Sequence, residues 1–340
     1  SIWLESSSRL RRVAALVTHA INEGCNSGGH VFLTRADFHK IIKAIDPGVD
    51  VNAALDAAAT MDEPMVIDHD RYYTEQNYKN ERYLAKNLLE RYIRPLKSRI
   101  HPGDPSEVQQ EVEDAKKAVG IPLDESQVKA VLGLLTSTSP LHTVTAGPGC
   151  GKTTIMEVVV QIMRSKTRRV RNPESGELED KPYKIAFCAP TGKAAKVLNG
   201  RIARYGFKAT TIHALLGVRG GGQDDGGAEE GGDGPRSMFM HNHFNQLDVD
   251  LLVVDETSMV DLALMFALLQ AVPMSAHIVL LGDTNQLPSV GPGDVLANIL
   301  QMPFDHHRLF KTHRNSGGIL RLVYAVGAGK VVTENLDGVT

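Results

Sequence analysis

The segment Ala146-Gly147-Pro148-Gly149-Cys150-Gly151-Lys152-Thr153-Thr154 sets three glycines, a lysine and two hydroxyls between a β-rich run and a helical run. Glycines in such a loop let backbone N–H groups turn toward one point, and the following helix adds the positive end of its dipole. That is a cradle for phosphate. Lys152 is placed to reach the β- and γ-phosphates of a nucleotide, and the Thr153 hydroxyl to ligate Mg²⁺. Gly147, Pro148, Gly149, Cys150, Gly151, Lys152, Thr153 and Thr154 are therefore the candidate ATP-binding set. The common pattern opens on Gly, and Ala146 stands there instead, small enough to be tolerated.

A second site for chemistry is Leu251-Leu252-Val253-Val254-Asp255-Glu256, an apolar strand ending in two carboxylates. Asp255 would hold the metal, and Glu256 would orient and deprotonate an attacking water. A third begins at Leu280-Leu281-Gly282-Asp283, where Gln286 is a neutral group able to sense a γ-phosphate without competing for the metal. Lys152, Glu256, Gln286 and Arg314 are the candidate catalytic residues, and Thr153 and Asp255 the candidate metal ligands. His241 and His243 have no cysteine or carboxylate spaced to complete a metal site.

These residues need a frame that brings three strand ends to one edge. From about residue 123 short β-rich runs (141–145, 184–188, 251–254, 277–281) alternate with helical runs (152–164, 192–201, 262–270). Buried apolar strands alternating with helices predict a parallel α/β sheet covered on both faces. Ligands in such sheets collect at the C-terminal strand ends, where all three motifs fall.

Residues 5–100 follow a different grammar. The pattern predicts a helix ending near Gly24, helices at 35–45 and 51–61, a hairpin at 65–73 and a helix at 81–93. Three helices and a hairpin are the plan of a winged-helix unit, with or without DNA contact. The stretch 220–234 is Gly-rich and acidic and predicts a disordered loop tip. Arg164, Lys166, Arg168, Arg169 and Arg171 form a basic run that reads as a solvated helix end or a nucleic-acid contact.

The chain has 340 residues, a net charge of −3 and three cysteines, Cys25, Cys150 and Cys188. The charge argues against an overall electrostatic grip on duplex DNA, though not against a single-strand groove. Three cysteines cannot build a disulfide framework and suit a reducing cytosol, so a cytoplasmic location is expected. No apolar stretch approaches the ~18 residues of a membrane helix, so no membrane partner is expected.

Taken together, the motifs resemble those of RecD-type helicases of superfamily 1, a likeness running from about Leu123 to Gly329. Leu123-Asp124-Glu125-Ser126-Gln127 resembles the family's Q motif, which implies that Gln127 reads the adenine edge. Ala189-Pro190-Thr191-Gly192-Lys193 and Thr210-Thr211-Ile212-His213 resemble motifs Ia and Ib. The resemblance implies that Pro190, Thr191, Lys193, Thr211 and His213 line a path for single-stranded DNA. Asp255-Glu256-Thr257-Ser258-Met259 resembles motif II, and 282–293 resembles motif III. Leu309-Phe310-Lys311-Thr312-His313-Arg314 resembles motif IV, with Arg314 on the γ-phosphate and His313 where an aromatic residue is usual. Residues 217–249 lie where these enzymes carry a β-hairpin pin, with Met238-Phe239-Met240-His241-Asn242 as its returning strand.

The implied fold class is therefore α/β: a P-loop NTPase (RecA-like) parallel sheet with an N-terminal helical, winged-helix-like domain. The expected layout is an N-terminal domain at 1–100, a linker at 101–122 and a motor domain at 123–216 and 250–330. The pin lies between the motor segments at 217–249, and 331–340 begin a connection toward a second motor domain. The start without Met suggests an excised piece of a longer protein. An arginine supplied across a two-domain cleft is worth roughly 10³–10⁵ in rate in related sites. The chain by itself is thus expected to bind ATP and Mg²⁺ yet unwind DNA poorly. The parent would be an ATP-dependent 5′→3′ DNA helicase of recombination or repair. Its implied partners are single-stranded DNA, duplex junctions and the other subunits of a nuclease–helicase complex. Two alternatives stay open: a nucleotide-gated DNA-binding subunit, and the motor part of a conjugative relaxase-helicase.

Overall fold

The computed structural model describes residues 2–60, 65–96, 98–218, 238–283, 285–286 and 289–310. Its contacts divide the chain into two units. The first comprises Ser1–Leu89 together with Met259–Leu269 and Pro288–Val295, and the second holds the rest.

In the first unit the order is helix α1 (Ile2–Gly28), strand β1 (Phe32–Thr34), α2 (Arg35–Ile45), α3 (Val51–Thr60), β2 (Met65–Asp68), β3 (Arg71–Thr74) and α4 (Glu75–Ile93). The three strands form an antiparallel sheet in the order β1-β3-β2. Three helices and a hairpin are present as the sequence pattern suggested, with one strand, β1, more. The core joins Val17, Ile21, Leu33, Phe38, Ile42 and Tyr72. Within it the Phe38 and Tyr72 rings stack at 4.5 Å. Thr34 starts α2, its hydroxyl accepting from the Asp37 N–H at 3.2 Å, a standard helix N-cap. Gly24 does not stop α1, which runs on to Gly28. A side chain at Gly24 would strike Leu33 and Ile41, so the glycine permits close packing instead.

Further along the chain come α5 (Pro105–Val119), α6 (Glu125–Thr136), β4 (Leu141–Ala146), α7 (Lys152–Met163), β5 (Thr167–Arg171), β6 (Leu178–Pro182) and β7 (Ile185–Ala189). Then follow α8 (Gly192–Ile202), β8 (Ala209–Thr211), α9 (Ile212–Leu216), β9 (Leu251–Val254), α10 (Leu262–Ala271), β10 (His277–Gly282), α11 (Val295–Ile299) and β11 (Asp305–Leu309). Six strands pair in parallel in the order β11-β4-β10-β9-β7-β8. This is the α/β parallel sheet that the strand–helix alternation predicted. Every residue of β9 and β10 is buried, which is why they read as unbroken apolar runs. Strand β11 was not foreseen: Asp305-His306-His307-Arg308-Leu309 is polar because, among the described residues, it lies at the sheet's edge, paired with β4 alone.

The basic run differs from its expected form. Arg168, Arg169 and Arg171 lie on β5, which pairs antiparallel with β6 as a two-stranded hairpin. The helix ends earlier, at Met163. Arg168 pairs with Asp250 at 2.6 Å and Arg169 with Asp180 at 3.7 Å, so both cations have carboxylate partners. Arg91, fully buried, donates to the carbonyls of Val272, Pro273 and Ala276 and so braces the turn that leads into β10.

Candidate active site

The loop between β4 and α7 takes its shape from two glycines in the left-handed region, Gly149 at φ 77° and Gly151 at φ 86°. An L side chain at either would be strained. Gly151 has a second reason, since a side chain there would run into the Gln127 amide. The loop closes through Cys150 N–H to Gly147 O at 3.4 Å, and α7 begins with Ile155 N–H to Gly151 O at 3.1 Å. Lys152 opens the helix, its Nζ donating to the Ala146 carbonyl at 2.7 Å. The first-turn N–H groups of α7 thus face the space enclosed by Gly147–Gly151, a geometry that fits a chain of phosphates.

Gln127 is placed otherwise than the base-reading expectation had it. It is 1% exposed, and both ends of its amide are engaged. Oε1 accepts from the Asp124 N–H at 2.9 Å, completing a capping box at the start of α6. Nε2 donates to the Cys150 carbonyl at 2.9 Å. The residue therefore braces the loop from behind. Sequence spacing alone could not separate this from a base contact, because both need the same amide.

Two strands away in the sheet, β9 delivers Asp255 and Glu256. Burial, with help from the adjoining Glu256 carboxylate, pushes the Asp255 carboxyl up to about 6, and the nearby Lys152 ammonium acts in the opposite direction. Burial of this kind disfavours the charged form, and a cation at the site would relieve it. A buried carboxyl of this kind suits a cation as its ligand. Glu256 sits at φ 53°, an uncommon conformation for a non-glycine residue, and strain of this sort collects at functional sites. Its Oε2 is buried without a hydrogen-bond partner among the described residues. Thr257 fixes the turn through its hydroxyl to Val254 O at 3.1 Å.

Strand β10, between β4 and β9, leads into Asp283 and Gln286. The Gln286 N–H donates to Asp283 O at 3.1 Å, holding a tight turn beside the loop. Lys152, Asp255, Glu256 and Gln286 thus leave three neighbouring strands at one edge of the sheet. Arg314 and His313 lie outside the described residues.

At the same edge β7 and β8 end side by side, with Ala189 opposite Thr211. Thr191 and Thr211 both serve as helix N-caps, their hydroxyls accepting from Ala194 N–H at 3.2 Å and Ala214 N–H at 3.1 Å. Lys193 and His213 are exposed. The Phe239 ring lies 5.9 Å from that of His213. Phe239 also forms an antiparallel bridge with Val218, and the Met240 and His241 N–H groups donate to Gly217 and Leu216 carbonyls. The chain beyond Leu216 and the segment returning at Met238 are therefore paired at their base. The acidic tip, at 219–237, lies outside the described residues.

On the first unit the exposed positions of α3 are Asn52, Ala53, Asp56, Ala59 and Thr60. That face offers no cation to a phosphate. Among the described residues no group of three or more His, Cys, Asp or Glu could hold a metal by itself, and no helix is long and apolar enough to cross a membrane.

Residues 127–292 match the AAA domain family. The RecBCD enzyme subunit RecD of Mycobacterium tuberculosis is 29% identical over 313 residues, covering 87% of this chain and 48% of the relative. The ATP-dependent RecD2 DNA helicase of Deinococcus radiodurans is 30% identical over 305 residues, covering 86% of this chain and 36% of the relative. The chain thus spans half or less of the length of these relatives. The solved Pif1 helicase from Candida albicans aligns over 63% of this chain and 45% of its own at 20% identity, with a TM-score of 0.38, a looser likeness that carries no argument.

Proposed function

The chain is a homologue of RecD subunits and RecD2 helicases, of the RecD type in superfamily 1, and from that premise we propose that it is an ATP-binding motor of a DNA helicase. The observation that carries this reading is the meeting of the phosphate loop with Asp255 and Glu256 at one sheet edge. In it Gly147–Thr154 bind the phosphates, with Lys152 on the β- and γ-phosphates. Thr153 and Asp255 would hold Mg²⁺, which would supply positive charge to the phosphates. Glu256, with its unpartnered Oε2, accepts a proton from the attacking water, and Gln286 senses the γ-phosphate. Arg314 would stabilise charge on the same group.

Single-stranded DNA runs over Pro190, Thr191, Lys193, Thr211 and His213. Support for that path is their place at the C-terminal ends of the neighbouring strands β7 and β8, with two exposed side chains among them. Translocation is 5′→3′, in recombination or repair, and other subunits of a nuclease–helicase complex are candidate partners. By themselves the 340 residues bind ATP with Mg²⁺ and unwind poorly.

The test is steady-state ATPase with and without single-stranded DNA, on the wild type and on Lys152→Ala. Hydrolysis that rises with DNA and is lost in the variant supports the motor. ATP-dependent DNA affinity with no hydrolysis would instead favour a nucleotide-gated binding module, and loss of neither activity in Lys152→Ala would remove the phosphate-loop assignment.

A further inference from the structure

Helix α8 carries a stripe of positive charge that the nucleotide site does not use. Lys193, Lys196, Val197, Gly200 and Arg201 recur along it at helical spacing, and Arg204 follows in the short turn after its end. Residues so spaced share one side of a helix, and all six are exposed. Ala195, Leu198 and Ile202 fill the opposite, buried side. From Lys193 to Arg204 the stripe runs roughly 17 Å at the rise of a helix. No carboxylate interrupts the chain between Asp180 and Asp224. Among the described residues Lys193 and Lys196 form no ion pair, while Arg201 and Arg204 share the one carboxylate of Glu157. Two guanidiniums on one carboxylate leave a positive charge in excess, and both are about half exposed. The track is also open, since a Cβ at Gly192 or Gly200 would meet nothing within 4 Å.

Resting on the reading of Lys193 as part of the single-strand path, we propose that the remainder of this stripe, Lys196 to Arg204, holds the phosphate backbone of the duplex that adjoins that strand. Charge is the first argument. Cations without counter-charges, set in a row, release the ions condensed on a nucleic acid whatever its sequence. The second is what the stripe lacks. Sites for unpaired strands set aromatic rings among their cations so that bases can stack. Here the rings at the end of α8 are withdrawn: Tyr205 and Phe207 pack against the core, and the Arg204 guanidinium lies 4.8 Å over Tyr205. A surface that grips phosphates and offers no ring to a base suits paired DNA, whose bases already stack on one another. The third is continuity. The stripe starts at Lys193, in the single-strand path, and a helix carries it onward in a straight line, as a stiff duplex requires.

The experiment measures, by fluorescence anisotropy with the 340-residue chain, affinity for a single-stranded oligonucleotide and for the same strand continued into a duplex arm. The wild type is expected to bind the tailed duplex about tenfold more tightly at low salt, with a log–log salt slope steeper by about 0.9 for each added phosphate contact. Lys196→Glu removes a cation, and Val197→Glu sets a carboxylate midway along the stripe without removing one. Both are expected to erase the duplex advantage while leaving single-strand binding unchanged, which also shows that the variants fold, and Lys196→Arg should keep it. Lys193→Ala is expected to weaken both DNAs and so tests the single-strand path separately. Equal affinity of the wild type for the two DNAs overturns the proposal and leaves that path standing. An undiminished duplex advantage in both Glu variants overturns it too, as does a parallel loss on both DNAs at an unchanged thermal midpoint, which would make the stripe more of the single-strand path. Polyglutamate bound as tightly as the tailed duplex, and released by Lys196→Glu, would assign the stripe to an acidic protein instead.

Discussion

The Gln127 side chain donates to the Cys150 carbonyl at 2.9 Å, tying the first turn of α6 to the loop that is to hold phosphate. Two independent features need this contact. It satisfies a buried carbonyl, and it occupies the space that a Cβ on Gly151 would require. The loop's shape is therefore set partly by a residue more than twenty positions upstream.

Gln127→Ala leaves the Cys150 carbonyl without its Gln127 partner and removes half of the capping box. A buried group left unsatisfied costs about 1–3 kcal/mol. Affinities for ATP and for tripolyphosphate are expected to fall together, because the loop itself is loosened. A fall in ATP affinity alone, measured by calorimetry, would mean that Gln127 reads the base.

Glu256→Gln should keep ATP binding and lose hydrolysis. A positioned general base contributes typically 10²–10⁴-fold, so single-turnover hydrolysis is expected to slow by about that factor with the nucleotide Kd little changed. Unaltered turnover would take the role of base away from Glu256.

The Glu157 carboxylate, 1% exposed on α7, is held by Arg204, by Arg201 at 3.6 Å and by the Tyr205 hydroxyl at 3.3 Å. The arginines are about half exposed and can return to water, whereas the carboxylate cannot. Removing Arg204 is thus expected to destabilise more than converting Glu157 to Met, because it strips a buried charge of its main partner. The cost of breaking such a pair is about 3 kcal/mol or more. Urea denaturation of Arg204→Ala, Glu157→Met and the double variant checks this, with the double variant expected near Glu157→Met.

Stability should fall on mild acidification. His142 is fully buried and stacks on His307 with ring centroids 5.7 Å apart. Burial and the His307 ring hold His142 down to about 3 from 6.5, and burial lowers His307 and His277 as well. Because each folded value lies below the unfolded one, the contribution is whole above pH 6.5 and is lost as pH falls toward the folded value. A histidine in this regime costs about 1.4 kcal/mol per pH unit. Thermal midpoints measured from pH 7 to pH 4.5 are expected to fall, with a shallower slope in His142→Gln. A flat profile in the wild type would contradict the buried neutral pair.

Much of this molecule could be read directly from residue order. The apolar runs of β9 and β10 were unmistakable because both strands lie inside the sheet, where neither face tolerates polarity. The turn from β4 into α7 was legible because its glycines, at Gly149 and Gly151, take the left-handed backbone that the turn requires. Asp255 and Glu256 followed from their place at the end of such a strand.

Other features depend on partners distant in sequence. Strand β11 is polar, and only its pairing with β4 makes it a strand. The hairpin of β5 and β6 carries arginines that looked like a solvated helix end until Asp180 and Asp250 supplied their counter-charges. Gly24 looked like a stop, and tertiary packing against Leu33 and Ile41 made it a point of close approach. The sequence by itself determined which residues can handle phosphate, metal and water, because that follows from their chemistry and local spacing. Only the tertiary structure decided that Gln127 braces the loop, because a hydrogen bond is chosen by which groups folding brings together.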